Sequence, residues 1–469
     1  MEHEETAQLT PGKRTLIFIS LVVSGIASSI LATAMTTALP ELVKYFGVST
    51  SIGQWVTSGY SLAMGTVMPL TAFLITRFPT KKLYMTGIGC FIVGLLLSIF
   101  AGNFGLMMVG RVLQACGNGV LMSAAQVVIL TVYPAEKKGT MMGTYGLVTT
   151  AAPIIAPTVA GLMIVAFGWK SIFYLVLVIM TISFAFSGMV FEDVLELQDK
   201  KFDFLSFAES ILAFGGITLG IGNISGFGLV SAQAGLPLLA GAVVCVLFII
   251  RQCGQEKPFL DVKILRSRDY AVSVISSMVL YLVMMGSSVI MPLYVQSVMG
   301  YSAFISGLVT LPGSFATAVV SPFAGRLYDQ MGIKKIFIAA SAALVVSNIG
   351  MTFLTMGTPL WVAAGLNVIR NISIGSLMMP LLTWGTSHVS PKKVADASSL
   401  LTSFRTVAGA IGSAVFVGIM TAVGESSAAA YGDNALMHGL NVSFLWMTVG
   451  SLVLLAISIY GAKSGTAGE

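Results

Sequence analysis

Long apolar stretches, each about as long as a helix that crosses a lipid bilayer, recur along the whole chain. A spanning helix needs about 20 mostly apolar residues, and fourteen stretches of roughly that length or more alternate with short polar connections. The predicted spans are residues 15–39, 51–76, 81–101, 105–131, 139–166, 170–191, 204–224, 234–251, 269–297, 303–328, 334–355, 360–387, 394–423 and 438–461. The pattern predicts an all-α membrane protein with fourteen transmembrane helices.

The composition agrees with a chain whose solvent is mostly lipid. Apolar residues make up 56% of the 469 residues, and the mean hydropathy is +0.91. Charged residues make up only 9%, whereas a soluble domain carries about 25%. So few charges cannot cover the surface of a soluble protein of this size, which excludes a cytosolic enzyme and a disordered scaffold.

The positions of the basic residues predict the topology. With the N-terminus inside, 20 of the 25 lysines and arginines fall on the inner side, and only Lys44 and Lys170 fall outside. The other three, Arg111, Arg370 and Arg405, lie within spans. This positive-inside bias predicts a multi-pass protein of the cell membrane with both termini in the cytoplasm. The net charge of +6 and the pI near 9.0 then reflect topology and not a nucleic-acid partner.

The second part of the chain repeats the first. The loop Ala72–Lys82 has a counterpart in Gly325–Lys335, at an offset of about 253 residues. Helices one to six therefore match helices nine to fourteen, in the same orientation. We predict six-helix bundles over residues 1–191 and 269–469, with residues 192–268 forming a linker and two inserted helices. Parallel repeats of this kind place a substrate site near the membrane midplane, between the halves.

Several local motifs add a family resemblance. They are Gln54–Val56 opening helix two, Arg111–Gln114 with Gly117 in helix four, Pro153, Pro157 and Gly161 in helix five, and Phe404–Arg405 with Gly409 and Gly412 in helix thirteen. In this order and spacing the chain resembles the major facilitator superfamily, most closely its fourteen-helix drug:proton antiporter family. The resemblance implies a monomeric secondary-active exporter of hydrophobic or amphipathic small molecules that works by alternating access. The drive would be a transmembrane ion gradient, normally of protons, with no cofactor.

The resemblance also assigns coupling and gating roles. In the family, an arginine like Arg111 belongs to a proton-transfer motif, and here Gln114 and Asn118 continue a polar stripe. Pro153, Pro157 and Gly161 match a motif that seals the halves against proton leak. Gly325, Asp329 and Lys334 belong to a loop that latches the inner gate, with Asp329 expected near a neighbouring helix N-terminus. The alternatives are a structural Arg111, ordinary kinking of helix five, and a capping acid at residue 329.

The other intramembrane ionisable groups leave two interpretations open. A guanidinium within a membrane faces the bundle or a water-filled cavity, so Arg370 and Arg405 are further coupling candidates. Alternatively, both lie near the inner edge and snorkel. Glu209 is the acid that lies clearly inside a span, which makes it a candidate proton carrier. Alternatively, its carboxylate reaches the inner interface.

The family's usual acid in helix one is missing, because Leu31 stands in its place. The first copy of the loop motif also has Thr76 where the family has an acid. We therefore expect a cavity that is neutral to positive, which argues against an exporter specialised for lipophilic cations and against proton coupling by the usual route. The alternative function is export or facilitated passage of a specific anionic metabolite or lipid, without that proton route.

Polar and aromatic side chains near the middle of spans are candidates for substrate contact, with methionine and phenylalanine supplying adaptable apolar walls. The candidates are Thr33, Thr36, Gln54, Tyr60, Gln126, Tyr145, Asn367, Asn371 and Trp384. No metal site is expected, because the chain has three histidines without suitable partners. No Walker-type nucleotide loop is present, so ATP is not the direct drive. Nothing in the spans suggests an enzyme.

Overall fold

The computed structural model describes residues 10–48, 50–53, 55–195, 197, 203–227, 231–255, 258–301 and 303–461. Within these residues the fold is helical and contains no strand. Fourteen helices have 20 residues or more, and we number these α1 to α14. They are α1 Pro11–Phe46, α2 Trp55–Arg77, α3 Thr80–Ile99, α4 Phe104–Val132, α5 Ala135–Phe167, α6 Lys170–Val190, α7 Phe204–Phe227, α8 Ala232–Gly254, α9 Arg268–Leu293, α10 Ala303–Met331, α11 Ile333–Thr352, α12 Leu360–Ser387, α13 Val394–Ser426 and α14 Ala435–Tyr460.

The predicted spans and the observed helices agree closely. Helix α12 has the predicted bounds, and most other ends differ by a few residues. Twelve of the helices are long and apolar enough, over their described residues, to cross a bilayer. The chain is therefore a multi-pass membrane protein. The largest difference is α1, which begins at Pro11, after Thr10 accepts a hydrogen bond from the Lys13 backbone amide, and runs on to Phe46.

The two sets of six helices pack in the same pattern. Contacts of α1 with α5 and α6, and of α4 with α2 and α3, recur as contacts of α9 with α13 and α14, and of α12 with α10 and α11. The two sets meet through α5 against α10 and α2 against α13. This arrangement is what a duplicated bundle produces. The predicted boundaries at residues 191 and 268 stay a prediction.

The inserted helices α7 and α8 form a hairpin at the edge of the bundle. Gly216 and Gly241 bring their backbones together, because a side chain at either position would overlap the other helix. Helix α7 also packs on α2 and α13, one from each set. The connection from α8 to α9 is buried as well, where Phe259 stacks on Phe73 of α2 with ring centroids 5.4 Å apart.

We call the end of the bundle that carries the α4–α5 and α10–α11 connections the inner end, and the opposite end the outer end. At the inner end, α5 and α10 cross with their backbones in contact. A methyl group added at Gly325 would overlap the carbonyl oxygen of Gly139, and one added at Gly143 would overlap that of Ser321. The close approach predicted for Gly325 is therefore present, and it closes the two sets of helices against each other at this end.

Candidate substrate cavity and gate

A cavity of about 350 Å³ lies between α1, α2, α4 and α5, and we call it the N-half cavity. Its wall consists of hydroxyl, phenol and amide groups together with two methionines, and it contains no carboxylate. The lining residues are Ser29, Ala32, Thr33, Thr36, Thr57, Tyr60, Ser61, Met64, Asn118, Met122 and Pro153. Such a mixture of adaptable apolar surface and a few hydrogen-bonding groups is typical of small-molecule sites.

Helix periodicity brings these side chains to one wall. On α1, positions 29, 32, 33 and 36 are separated by three or four residues and so share one face. Three of the predicted substrate residues, Thr33, Thr36 and Tyr60, lie on this cavity, as do Asn118 and Pro153 from the predicted coupling set. Sequence reasoning missed Ser29, although its spacing from Thr33 and Thr36 carried the signal.

Behind the wall lies the buried guanidinium of Arg111. Its Nε donates to the Val56 carbonyl oxygen over 3.0 Å, and its Nη1 donates to Gln114 Oε1 over 2.7 Å. Gln114 in turn donates to Ser98 over 2.9 Å. The guanidinium carbon sits 4.1 Å from the centre of the Tyr60 ring, a cation–π contact. The described part of the chain holds no carboxylate within ion-pair distance of Arg111.

Asn118 and Tyr60 form a second polar pair, at the cavity wall. The Asn118 Nδ2 atom lies 2.8 Å from the Tyr60 hydroxyl oxygen and 3.4 Å from the Met64 sulfur. Both Tyr60 and Asn118 are at most 4% exposed. The Asn118 Oδ1 atom is buried and has no hydrogen-bond partner. The predicted stripe of Arg111, Gln114 and Asn118 thus divides into two hydrogen-bonded groups.

The other two intramembrane arginines are also buried. Arg370 on α12 is 2% exposed and donates to Asn367 Oδ1, an amide oxygen three residues away on the same helix. Arg111 donates in the same way to the amide oxygen of Gln114. Arg405 on α13 is 4% exposed, with its guanidinium carbon 4.9 Å from the centre of the Tyr281 ring. The alternative that these two side chains snorkel to the inner edge is wrong, because neither reaches the surface.

Asp329 joins the two sets of helices at the inner end. Its Oδ1 accepts from the Gly139 backbone amide over 2.8 Å. Its Oδ2 accepts from the backbone amide and hydroxyl of Thr140 over 2.7 and 2.6 Å. These donors lie near the N-terminal end of α5, where the helix dipole favours an anion. The expected helix N-terminus is therefore beside Asp329. Lys334 lies in the first turn of α11 and is partly exposed.

The remaining predicted substrate residues that the structure describes do not line the N-half cavity. Gln126 lies between the sets of helices, where its Oε1 accepts from Ser398 and Thr402 over 3.2 and 3.3 Å. Tyr145 is buried beside Gly25 of α1, and Trp384 is buried in the core of the second set.

Two more predicted substrate residues belong to the second set of helices, and one has no described position. Asn371 donates to the Asn367 backbone and side chain, so these two residues bind each other. Gln54 lies outside the described residues, as does the side chain of Pro157.

Two residues that the sequence motifs single out lie elsewhere than expected: Gly161 in helix five is not at a close contact with a described helix, and Leu31 in helix one is not at the cavity wall. A methyl group added at Gly161 would meet no atom of the described residues within 4 Å, so close packing at this position is not found among them, whereas Gly143 and Gly146 do pack closely. Leu31 is fully buried and does not line the N-half cavity. Its neighbours Ala32 and Thr33 face the cavity, because successive residues on a helix point 100° apart.

Glu209 lies near the inner end of α7, with its Oε2 3.9 Å from Arg251 Nε. Arg251 itself pairs with Asp203, Nη2 to Oδ2 over 2.9 Å. Burial acts to raise the pKa of Asp203, but hydrogen bonds from Ser206, Gln255 and Arg251 outweigh it and hold the pKa well below its usual value. Glu209 therefore belongs to the surroundings of an ion pair that joins α7 to α8, as the inner-interface alternative expects. Its role in coupling stays a prediction.

Two further acids are buried, one near the start of a predicted span and one in a predicted connection. Asp396, in the first turn of α13, is 2% exposed. Asp261, in the α8–α9 connection, pairs with Lys393 over 2.6 Å. Neither lines the N-half cavity. The described residues contain no group of three or more histidine, cysteine or acidic side chains that could hold a metal ion.

Comparison with known proteins shows which family of sequences and which solved fold the chain is similar to. Residues 17–413 match the sequence profile of the Major Facilitator Superfamily. The chain is 31% identical over 449 residues to the uncharacterized MFS-type transporter YcnB of Bacillus subtilis, covering 96% of this chain and 95% of that protein. It is 30% identical over 406 residues to the lincomycin resistance protein LmrB of Listeria monocytogenes, covering 87% and 86%. The solved proton:xylose symporter XylE has a TM-score of 0.64 at 13% identity, covering 95% and 97%, a likeness of fold alone.

Proposed function

Since this chain belongs to the Major Facilitator Superfamily, we propose that it is a secondary-active exporter of hydrophobic or amphipathic small molecules, of the drug-efflux type. The chain is a transporter and not an enzyme. The observation that carries the proposal is the bond from Asp329 to Gly139 and Thr140, which closes the inner end across the two sets of helices. A cavity with adaptable, mostly apolar walls and a few hydrogen-bonding groups lies toward the outer end from this closure. Alternating access requires such a closure on one side of a binding cavity.

The proposal includes the topology and the drive. All fourteen long helices cross the membrane, with both termini in the cytoplasm, as the distribution of lysine and arginine favours. The protein works as a monomer in the cell membrane, on amphipathic substrates and without ATP. The drive is an ion gradient, and protons are the first ion to test. Because no carboxylate lines the N-half cavity, the proton is carried by a group other than a helix-one acid.

Proteoliposomes test this function directly. Purified protein is reconstituted, and uptake of a neutral fluorescent amphipathic compound is followed with an imposed pH gradient, sodium gradient or membrane potential. We expect at least one of these gradients to drive uphill movement of the compound. Without an imposed gradient, we expect the compound to exchange across the membrane without accumulating. The matched control is the Gly325→Val variant, in which the inner end cannot close. Lack of movement under every condition contradicts the proposal.

A second candidate, export of a specific anionic metabolite or lipid, is favoured by the three buried arginines. None of them has a carboxylate within ion-pair distance among the described residues, so each adds a positive charge to the interior of the bundle that no adjacent acid neutralises. In the same proteoliposomes, an amphipathic anion moving faster than its neutral analogue, with no effect of the pH gradient, favours this candidate over the first.

A further inference from the structure

The polar pair at the wall of the N-half cavity has hydrogen-bonding capacity that the protein does not use. Asn118 Nδ2 donates to the Tyr60 hydroxyl oxygen, so the phenol hydrogen stays available. Asn118 Oδ1 is buried, lacks a partner, and belongs to a side chain that lines the cavity. An unpaired buried acceptor destabilises the folded protein, and a hydrogen bond from a bound ligand relieves that cost.

The conclusion does not depend on which way the Asn118 amide is turned. If the amide is flipped, the phenol donates to Oδ1, and the amide nitrogen becomes the unused donor beside an unused lone pair on the phenol oxygen. In both arrangements the pair presents one donor and one acceptor at the same wall. Such a pair complements a group that both accepts and donates.

Arg111 decides which charge such a group can carry. Its guanidinium carbon lies 4.1 Å from the centre of the Tyr60 ring, and Arg111 is not among the residues that line the cavity. One of its nitrogens, Nη2, has no hydrogen-bond partner. This positive charge has no carboxylate beside it in the described chain, so it opposes a cation at the wall. Because Arg111 does not line the cavity, it acts on a ligand there through its charge and not by direct contact.

We propose that Tyr60 and Asn118 form a two-point subsite that selects an uncharged donor–acceptor group, such as a carboxamide, on an otherwise apolar substrate. Tyr60 and Asn118 determine this specificity, and Arg111 excludes cations. The proposal rests on the proposed function, because the N-half cavity is taken as the substrate site. It narrows that function from amphipathic compounds in general to neutral compounds with a paired donor and acceptor.

Three naphthalene derivatives of the same shape test the subsite by binding to the purified full chain in detergent. They are 2-naphthamide, 2-naphthoate and 2-naphthamidine, with charges of 0, −1 and +1 at neutral pH. A fourth probe, 2-isopropenylnaphthalene, has the same shape without hydrogen-bonding atoms. We expect 2-naphthamide to bind about tenfold more tightly than the apolar probe. We expect 2-naphthamidine to bind at least about tenfold more weakly than 2-naphthamide. Equal affinity for the amide and the amidine overturns the proposal.

Variants assign the effect to the pair. Tyr60→Phe keeps the ring over Arg111 and removes the hydroxyl, so the amide loses about tenfold in affinity while the amidine stays excluded. Asn118→Leu gives the same loss for the amide and little change for the apolar probe. The matched control is Asn348→Leu on α11, another buried asparagine with an unpartnered Oδ1, which leaves the ratio of affinities unchanged.

The outcomes separate this inference from the proposed function. If the wild-type protein moves a neutral amphipathic compound in proteoliposomes but Tyr60→Phe and Asn118→Leu both keep the preference for the amide, the subsite is wrong and the exporter stands. If the order of binding is as expected and no probe crosses the membrane, the exporter is wrong and the subsite stands. Tyr60→Phe retains most of the side chain, so it keeps the test decisive even where Asn118→Leu fails to fold.

Discussion

At the scale of single residues, the buried arginines set the electrostatics of the bundle. A guanidinium in a bilayer is costly unless protein groups replace its water. Arg111 obtains a carbonyl oxygen, an amide oxygen and an aromatic face. Arg370 obtains an amide oxygen and the sulfur of Met351. None of these partners is an acid, so the positive charge of each arginine is not neutralised by its hydrogen-bond partners. These contacts also hold together the helices that supply the partners.

Replacing Arg111 with alanine tests whether this charge matters for transport. The variant leaves the Gln114 amide oxygen without its partner and removes the support beneath Tyr60. We expect substrate flux in proteoliposomes to fall at least tenfold, while expression and membrane insertion stay normal. Arg111→Lys is the control that keeps the charge but not the planar set of donors. Near-normal flux in the alanine variant means that Arg111 is only structural.

At the scale of elements, the crossing of α5 and α10 depends on glycine. Gly139 and Gly325 place the two backbones in contact, and Asp329 then reaches the N-terminal end of α5. Closure at the inner end is therefore both steric and electrostatic. A side chain at the crossing separates the helices and lengthens the Asp329 hydrogen bonds together.

Gly325→Val tests this crossing. The label site is a cysteine replacing Ser398, which is 1% exposed and contacts Gln126 across the two sets of helices, in a protein whose four native cysteines are replaced. We expect a membrane-impermeant maleimide to react at least tenfold faster in the valine variant, because the inner end stays open. Gly161→Val is the matched control, since a side chain there meets open space. Equal labelling rates in both variants contradict the assigned closure.

The elements were predictable from the sequence, whereas the faces of the helices were only partly so. Span length follows from bilayer thickness, which is why α12 and the α7–α8 insertion fall where the apolar runs indicate. In a membrane, however, apolar side chains cover all faces of a helix, so periodicity gives little information on orientation. Tyr60 and Tyr145 both lie within spans, yet the first lines the cavity and the second is buried against α1.

The same limit explains what sequence reasoning missed at the site. The missing acid in helix one predicts a substrate cavity without a carboxylate, and none of the described residues that line the N-half cavity is an acid. On helix one, Thr33 and Thr36 line this cavity, whereas Leu31 does not. The partners of Asp329 lie about 190 residues away in the chain. The sequence indicates that the loop resembles a gate motif. The partners of Asp329 depend on how the two sets of helices meet, which the sequence of the loop does not show.

At the scale of the whole molecule, we expect the sign of the internal charge to govern which substrates enter. The described wall of the N-half cavity has no acid, and Arg111 contacts the Tyr60 ring of that wall, so we expect the potential inside to be neutral to positive. A single carboxylate on the wall offsets this charge, because an ion pair in a poorly screened cavity is worth several times more than in water. We therefore expect the substrate preference of the proposed exporter to be set by very few charges.

Thr36→Asp therefore converts the cavity into a cation site. Thr36 lines the cavity, and aspartate is similar to threonine in size. We expect binding of tetraphenylphosphonium to tighten about tenfold at neutral pH and to lose this gain as the pH falls below about 4, where the carboxylate is protonated.

Thr36→Asn is the uncharged control. Leu31→Asp is the control for orientation, because an acid at that buried position destabilises the protein without reaching the ligand. Equal binding by the aspartate and asparagine variants contradicts the electrostatic account of substrate choice.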